Sequence, residues 1–300
     1  MERAEATASP APRAIAARPA RRAGDGVLAL LLLGPAALWS LCFFVLPLAK
    51  MAWRSVYRDG LTLLYYEKFF AGETYLNVIL KTFQMSAIVT VGCLLLGYPV
   101  AYLLTMMSPR KRALLLLLVI VPYWLDFIVR SYSWMILLGR NGLINQALRG
   151  MELTASPIEF LYSVFSVSIG MIQILLPMMI LTLFGAMVRI DDRLLLAASI
   201  HGARQFAVFR HVFFPLSLPG VFAGCLLVFV TSIGFYITPA LLGGPKQTMI
   251  SQSILVLAAD LLDWPMASAV AIVLLMLSMV IVAVYSRFFS TERLWGGTDS

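Results

Sequence analysis

Charge is scarce in this chain of 300 residues. Asp, Glu, Lys and Arg make up 13% of it and hydrophobic residues 61%, against roughly 25% and 45–50% in a soluble domain. That shortage excludes an ordinary water-soluble fold and makes lipid the expected solvent. Cysteine is rare too. Cys42, Cys93 and Cys225 each lie alone in an apolar run, which argues against a disulfide framework and reads as buried, inert thiols. The two histidines, His201 and His211, lack the spacing of metal ligands, and HExxH, GxSxG and Cys/His clusters are missing. Residues 243–248, GGPKQT, echo a phosphate loop without its GxxxxGK(S/T) spacing. No catalytic, cofactor or metal site is expected. The formal net charge of +8 is read by its distribution about a membrane and not as a sign of nucleic acid.

What the sequence has instead is long apolar runs. The expected fold is all-α and integral to the membrane, with six transmembrane helices at 27–48, 78–107, 113–138, 160–188, 221–242 and 266–289. Each exceeds or approaches the roughly 20 residues that cross a hydrocarbon core. Residues 1–24, rich in Ala, Pro and Arg, form an expected disordered, basic N-terminal segment. A six-helix domain follows over 25–290, and 291–300 is a short tail. Residues 50–76 read as an external interfacial segment, and 139–150 as an Asn-Gly turn with a short helix after it. Residues 243–265 read as external, with Asp260 and Asp263 either capping helices or meeting a cationic solute.

The third run holds Trp124, Asp126, Arg130, Tyr132 and Trp134. Asp126 and Arg130 are four apart, which permits pairing on one helical face. Charges at membrane depth face the bundle interior or water, so the pair reads as a structural ion pair or as a polar wall of a pathway. Six crossings place both termini on one side. On that topology fourteen basic residues, including Arg110, Lys111 and Arg112, fall on the side of the termini and eight on the other. The excess places both termini in the cytoplasm.

Residues 190–220, IDDRLLLAASIHGARQFAVFRHVFFPLSLPG, then lie on the cytoplasmic side. Asp191 or Asp192 suits an N-cap. A helix is expected through Leu194–Ala198, and Gly202 supplies a sharp turn. A second helix is expected from Gln205 to Phe213, ended by Pro215 and Pro219. Exposed leucines on a cytoplasmic helix-turn-helix suggest a partner surface.

The spacing of Ala197, Ala198, Gly202, Val212 and Pro215 resembles the EAA motif of ABC importer permeases. The stretches VPYWLDFIVRSYSWMILLGRNGLINQAL, ITPALLGGPKQTMISQSI and DWPMASAVAIVLL extend the likeness. Together they are similar to the spermidine/putrescine type, specifically the first of its two permease subunits. The resemblance implies a cytoplasmic coupling helix between helices 4 and 5. It also implies a second permease subunit, two ATPase subunits that carry ATP and Mg, and an external solute-binding protein. It implies residence in a bacterial inner membrane and transport of a small solute, a polyamine above all. Leu195 and Leu196 stand where the motif often carries acids. Docking through Arg193, Leu195, Leu196, Ala197, Ala198, Gly202 and Arg204 is therefore expected to rest on apolar packing, with the arginines at its rim. Trp124, Tyr132 and Trp134 suit a cation by their ring faces, with Asp126 as counter-charge. Two other readings stay open. One is a permease of this family for another small organic solute. The other is a secondary transporter driven by an ion gradient, which often has internal repeats and several intramembrane charges.

Overall fold

The computed structural model describes residues 34–36, 38–57, 60–154 and 156–288. The expected N-terminal segment 1–24 and tail 291–300 lie outside the described residues. Two compact units divide the chain, residues 1–50 and 51–300. The described residues are almost wholly helical, as the long apolar runs require: in lipid every backbone amide must find its partner within the chain.

Twelve helices carry the description. They are α1 (Gly34–Val56), α2 (Leu64–Ala71), α3 (Glu73–Met106), α4 (Pro109–Tyr123), α5 (Phe127–Leu138) and α6 (Leu143–Gly150). There follow α7 (Val164–Met187), α8 (Asp192–Ile200), α9 (Gln205–Ile233), α10 (Ile237–Leu242), α11 (Ile250–Asp260) and α12 (Trp264–Phe288). Five of them, α1, α3, α7, α9 and α12, are long and apolar enough to cross a membrane, and a sixth candidate is a bent pair.

The core is a packed trio of α3, α7 and α9. Val89, Cys93 and Ala101 of α3 meet Met171, Met179 and Leu183 of α7 and Val221 and Val228 of α9. Small residues let these backbones approach, as expected where lipid provides no hydrophobic drive between helices. Gly220 of α9 sits against Ala186 of α7, and a Cβ there would collide with the Ala186 methyl. The Tyr98 and Ser217 hydroxyls join α3 to α9 at 2.9 Å. A second core gathers Tyr65 and Phe69 of α2, Ile250 and Leu257 of α11, and Met266 and Val270 of α12. The Ile250 amide donates to Thr82 Oγ1 of α3 at 2.9 Å.

Several sequence expectations are corrected. The third span is not one helix. From Pro109–Tyr123 to Phe127–Gly150 the chain bends by 89°. Asp126 starts a new helix there by accepting the Ile128 amide at 2.7 Å, and a capping carboxylate is more stable at such a start than within a continuous turn. The fifth span begins and ends elsewhere. Pro215 and Pro219 do not stop the helix after Gln205; α9 runs through both to Ile233. A π-helical turn at Phe209–Phe213 precedes Pro215, and its wider winding accommodates a ring that lacks an N–H. The break falls at Gly234, while Pro239 lies inside the short α10. Within residues 50–76 and 243–265, α1, α2, α3 and α11 supply helical structure that the sequence reading did not specify. Asp263 accepts the Met266 amide at 3.1 Å and so caps α12. Cys93 is buried, but Cys42 is exposed, and all three thiols are free.

The expected short helix after Asn141-Gly142 is present as α6. Asn145 fixes it, donating to the Gly139 and Ile158 carbonyls at 3.0 Å each and accepting the Ile158 amide at 2.8 Å.

Candidate functional site

The α8–α9 hairpin is built from local chemistry. Asp191 caps α8 by accepting the Arg193 amide at 2.9 Å, and its charge complements the positive end of the helix. At the other end the Gly202 amide donates to the Ser199 carbonyl at 3.0 Å and the Ala203 amide to the Ala198 carbonyl at 3.2 Å. This is a Schellman closure, with Gly202 at φ +83° in the left-handed region that a side chain resists. His201 Nδ1 also reaches the Ala197 carbonyl at 2.9 Å. The helix-turn-helix is thus closed at both ends of α8 by local hydrogen bonds.

The hairpin has two faces. Leu195 and Ala198, three apart, are half-buried, and Leu195 packs with Ile190 and Phe209 against the main core. Arg193, Leu196, Ala197 and Ile200 point away, with Leu196 62% and Ile200 76% exposed. Phe206, at the start of α9, is 71% exposed. The two leucines at the motif's acidic positions therefore do different things: Leu195 anchors the hairpin and Leu196 faces outward. Leu194, Ile200 and Phe206 belong to the outward apolar surface and were missing from the sequence-derived set. The i, i+4 spacing of Leu196 and Ile200 was the signal that could have found them. Arg204 and Gly202 are exposed, Val212 is half-buried, and Pro215 is exposed higher on α9.

An aromatic cluster ties this hairpin to the bundle. Phe209 and Phe213 of the π-turn meet Tyr102 of α3 edge-on, with ring centroids 5.1 and 4.9 Å apart, and Phe209 also meets Tyr98 at 6.3 Å. Such pairs are worth about 0.5–1.5 kcal/mol beyond their burial. Beneath α8 a cavity of about 600 Å³ is bordered by Tyr102, Arg112, Asp192, Gln205, Phe209 and other residues. Arg112 closes the end of α3, donating to the Leu104, Thr105 and Met107 carbonyls at 2.9, 3.0 and 3.1 Å. Its guanidinium lies 5.7 Å from the Phe184 ring of α7. The sequence marked Arg112 only as part of a basic loop; its capping role depends on where the chain folds back.

The pathway candidates do not form one cluster. Trp124, in the bend between α4 and α5, is 84% exposed; Asp126 and Tyr132 are exposed as well. Trp134 is half-buried against the main core, and Arg130 is 5% exposed. The Arg130 guanidinium has no hydrogen-bond partner and rests 5.5 Å from the Phe127 ring. Of the two readings of Asp126 and Arg130, the ion pair is not formed: the Asp126 carboxylate is turned to its own helix start.

GGPKQT forms a tight turn in which Gln247 Oε1 accepts the Gly244 amide at 3.1 Å.

Residues 93–291 match the model of the family described as the binding-protein-dependent transport system inner membrane component. The chain belongs to this family. The permease is 37% identical over 260 residues to the spermidine/putrescine transport system permease protein PotB of Haemophilus influenzae, covering 83% of this chain and 90% of that one. With PotB of Escherichia coli it shares 36% over 213 residues, 71% of this chain and 78% of the relative. Its fold is similar to a chain of the bacterial alginate ABC transporter solved in complex with an alginate pentasaccharide-bound periplasmic protein. There the TM-score is 0.73 at 18% identity, covering 92% of this chain and 96% of that one. The permease is a multi-pass inner-membrane transport protein, and these relatives are transport system permease proteins.

Proposed function

We propose that this permease is one of two membrane subunits of an ATP-driven, binding-protein-dependent importer of polyamines. In this reading the bent pair α4–α5 counts as one span, giving six, and both termini are cytoplasmic. The α8–α9 hairpin is the coupling element that enters a groove on an ATPase subunit. ATP and Mg reside on two such ATPases, a different second permease completes the pathway, and an external solute-binding protein delivers the solute.

The observation that carries this reading is the hairpin's division of labour. Leu196, Ile200 and Phe206 are exposed on an element whose inner face is locked to the core by Leu195, Phe209 and Phe213. An apolar surface of this kind marks a protein contact, and here its contact is an ATPase groove. When the ATPases close, the hairpin moves as a rigid body. The aromatic cluster passes that motion to α3, and the Tyr98–Ser217 contact joins α3 to α9 above it. The spans then exchange between inward- and outward-facing arrangements.

The relatives named for spermidine and putrescine support a polyamine as solute. Exposed Trp124 and Tyr132 offer ring faces to an ammonium group, and exposed Asp126 offers a counter-charge. The test is uptake of labelled putrescine and spermidine by cells lacking this chain, with and without the gene restored. Restored uptake that stops on ATP depletion and survives collapse of the ion gradient is expected. Uptake that follows the gradient instead would assign a secondary transporter, and restored uptake of other solutes alone would remove the polyamine assignment.

A further inference from the structure

Far from the hairpin, a cleft of about 190 Å³ is bordered by Lys81 and Gln84 of α3, Val164 at the start of α7, and Lys246 and Gln247 of the turn before α11. Its depth follows from the length of α3. That helix has 34 residues, which at 1.5 Å per residue is about 51 Å, against a hydrocarbon core of about 30 Å. Lys81 lies about 38 Å along the axis from Met106, so with Met106 at one boundary of the hydrocarbon it stands beyond the other, at the end opposite the basic Pro109–Arg112 segment that opens α4. With that segment cytoplasmic, the cleft opens on the outside.

The backbone turn that carries the second lysine is fixed, while its side chain is exposed. Gly244 and Gln247 close the turn that carries Lys246. Just before it, the Leu242 carbonyl accepts the Tyr162 amide and the Ser166 hydroxyl, each at 2.9 Å, which fastens the turn to α7. Both lysines are exposed and neither is ion-paired among the described residues. Two ammonium groups in one cleft repel, and the first turn of α7 adds the positive end of a 24-residue helix. This field attracts an anion and repels a polyamine. The cleft is therefore the wrong sign to receive the proposed solute and the right sign for a carboxylate-bearing protein surface.

We propose that the Lys81–Lys246 cleft docks acidic side chains on the surface of the external solute-binding protein. This rests on the importer reading above. The consequence is a division of surfaces by charge: acids of the delivering protein are held at the lysines, while the released cation is steered away from them and toward the pathway.

The experiment uses the complete transporter in nanodiscs and titrates its own solute-loaded binding protein, reading stimulated ATP hydrolysis at low and high salt. For the double variant Lys81→Glu/Lys246→Glu, the concentration giving half-maximal stimulation rises at least tenfold at low salt. The salt dependence seen in wild type is reduced. Lys81→Arg/Lys246→Arg stays within twofold of wild type, and Lys81→Gln/Lys246→Gln falls between, which guards against a variant that assembles poorly. A Glu variant that co-purifies with its partners and gives the wild-type titration curve overturns the proposal. So does one whose binding-protein titration is unchanged while its half-saturation for solute shifts. A wild-type transporter that no binding protein stimulates overturns the importer reading itself, and this inference with it.

Discussion

Asp126 and Arg130 are four residues apart yet do not pair: the Asp126 carboxylate accepts the Ile128 amide at 2.7 Å, while the Arg130 guanidinium is buried against Phe127 without a hydrogen bond. One is a helix cap, and the other is a buried charge with no hydrogen bond, faced by the Phe127 ring at 5.5 Å. Removing one partner of a buried ion pair costs about 3–5 kcal/mol, whereas removing an unpaired buried charge relieves its desolvation cost.

The first prediction follows from that sign. Arg130→Met is expected to leave the thermal stability of the purified permease unchanged or raised. Asp126→Asn, which keeps a capping oxygen, is expected to be nearly silent, and Asp126→Ala to cost about 1 kcal/mol. Thermal unfolding in detergent checks all three. A loss of several kcal/mol in Arg130→Met would reveal a partner for Arg130.

The second prediction concerns Gly202. A Cβ there meets nothing within 4 Å, so the constraint is the backbone at φ +83° and not space. Holding a β-branched residue in that region costs about 1–3 kcal/mol. Gly202→Val is expected to insert normally but lose uptake, with Gly202→Asn much milder because Asn tolerates the conformation. Equal loss in both, measured as uptake at matched membrane abundance, would point to a contact made by the glycine surface instead.

The two leucines of the hairpin provide the third. Leu196→Ser is expected to weaken co-purification of the ATPase with little change in the permease's own melting temperature. Leu195→Ser is expected to lower that temperature first, since it removes packing against Ile190 and Phe209. The reverse assignment would mean that the hairpin rotates on assembly.

Close helix packing supplies the fourth. A side chain at Gly220 has no room beside Ala186, and overpacking of a tight contact costs roughly 1–3 kcal/mol. Gly220→Val is expected to lower membrane abundance and thermal stability. Gly185, where a Cβ meets nothing within 4 Å, is the matched control, and Gly185→Ala is expected to be silent.

Much of the fold was legible in the residues because lipid permits so few solutions. Apolar runs of sufficient length located α3, α7 and α12 to within a few residues. Asn141-Gly142 marked the start of α6, and Gly202 marked the turn of the hairpin. Prolines misled, because their effect depends on neighbours. Pro215 and Pro219 were read as stops, yet the π-turn before Pro215 absorbs the missing amide and α9 continues. Asp126 was read as half of a structural ion pair or as part of a polar pathway wall, but a carboxylate four residues before an arginine serves equally well as a helix cap, and sequence spacing does not choose among them.

The sequence by itself determined that this chain is helical and lives in a membrane, and it marked which stretch between spans was patterned for a partner. Those properties follow from composition and local periodicity, which act over a few turns. Only the tertiary structure decided that Leu195 faces inward and Leu196 outward, and that Arg112 closes the end of α3. It alone left Arg130 without a hydrogen bond and set Lys81 and Lys246 on the border of one cleft. Each of those outcomes depends on which helix lies beside which, and residues distant in sequence carry no local mark of the neighbour they will meet.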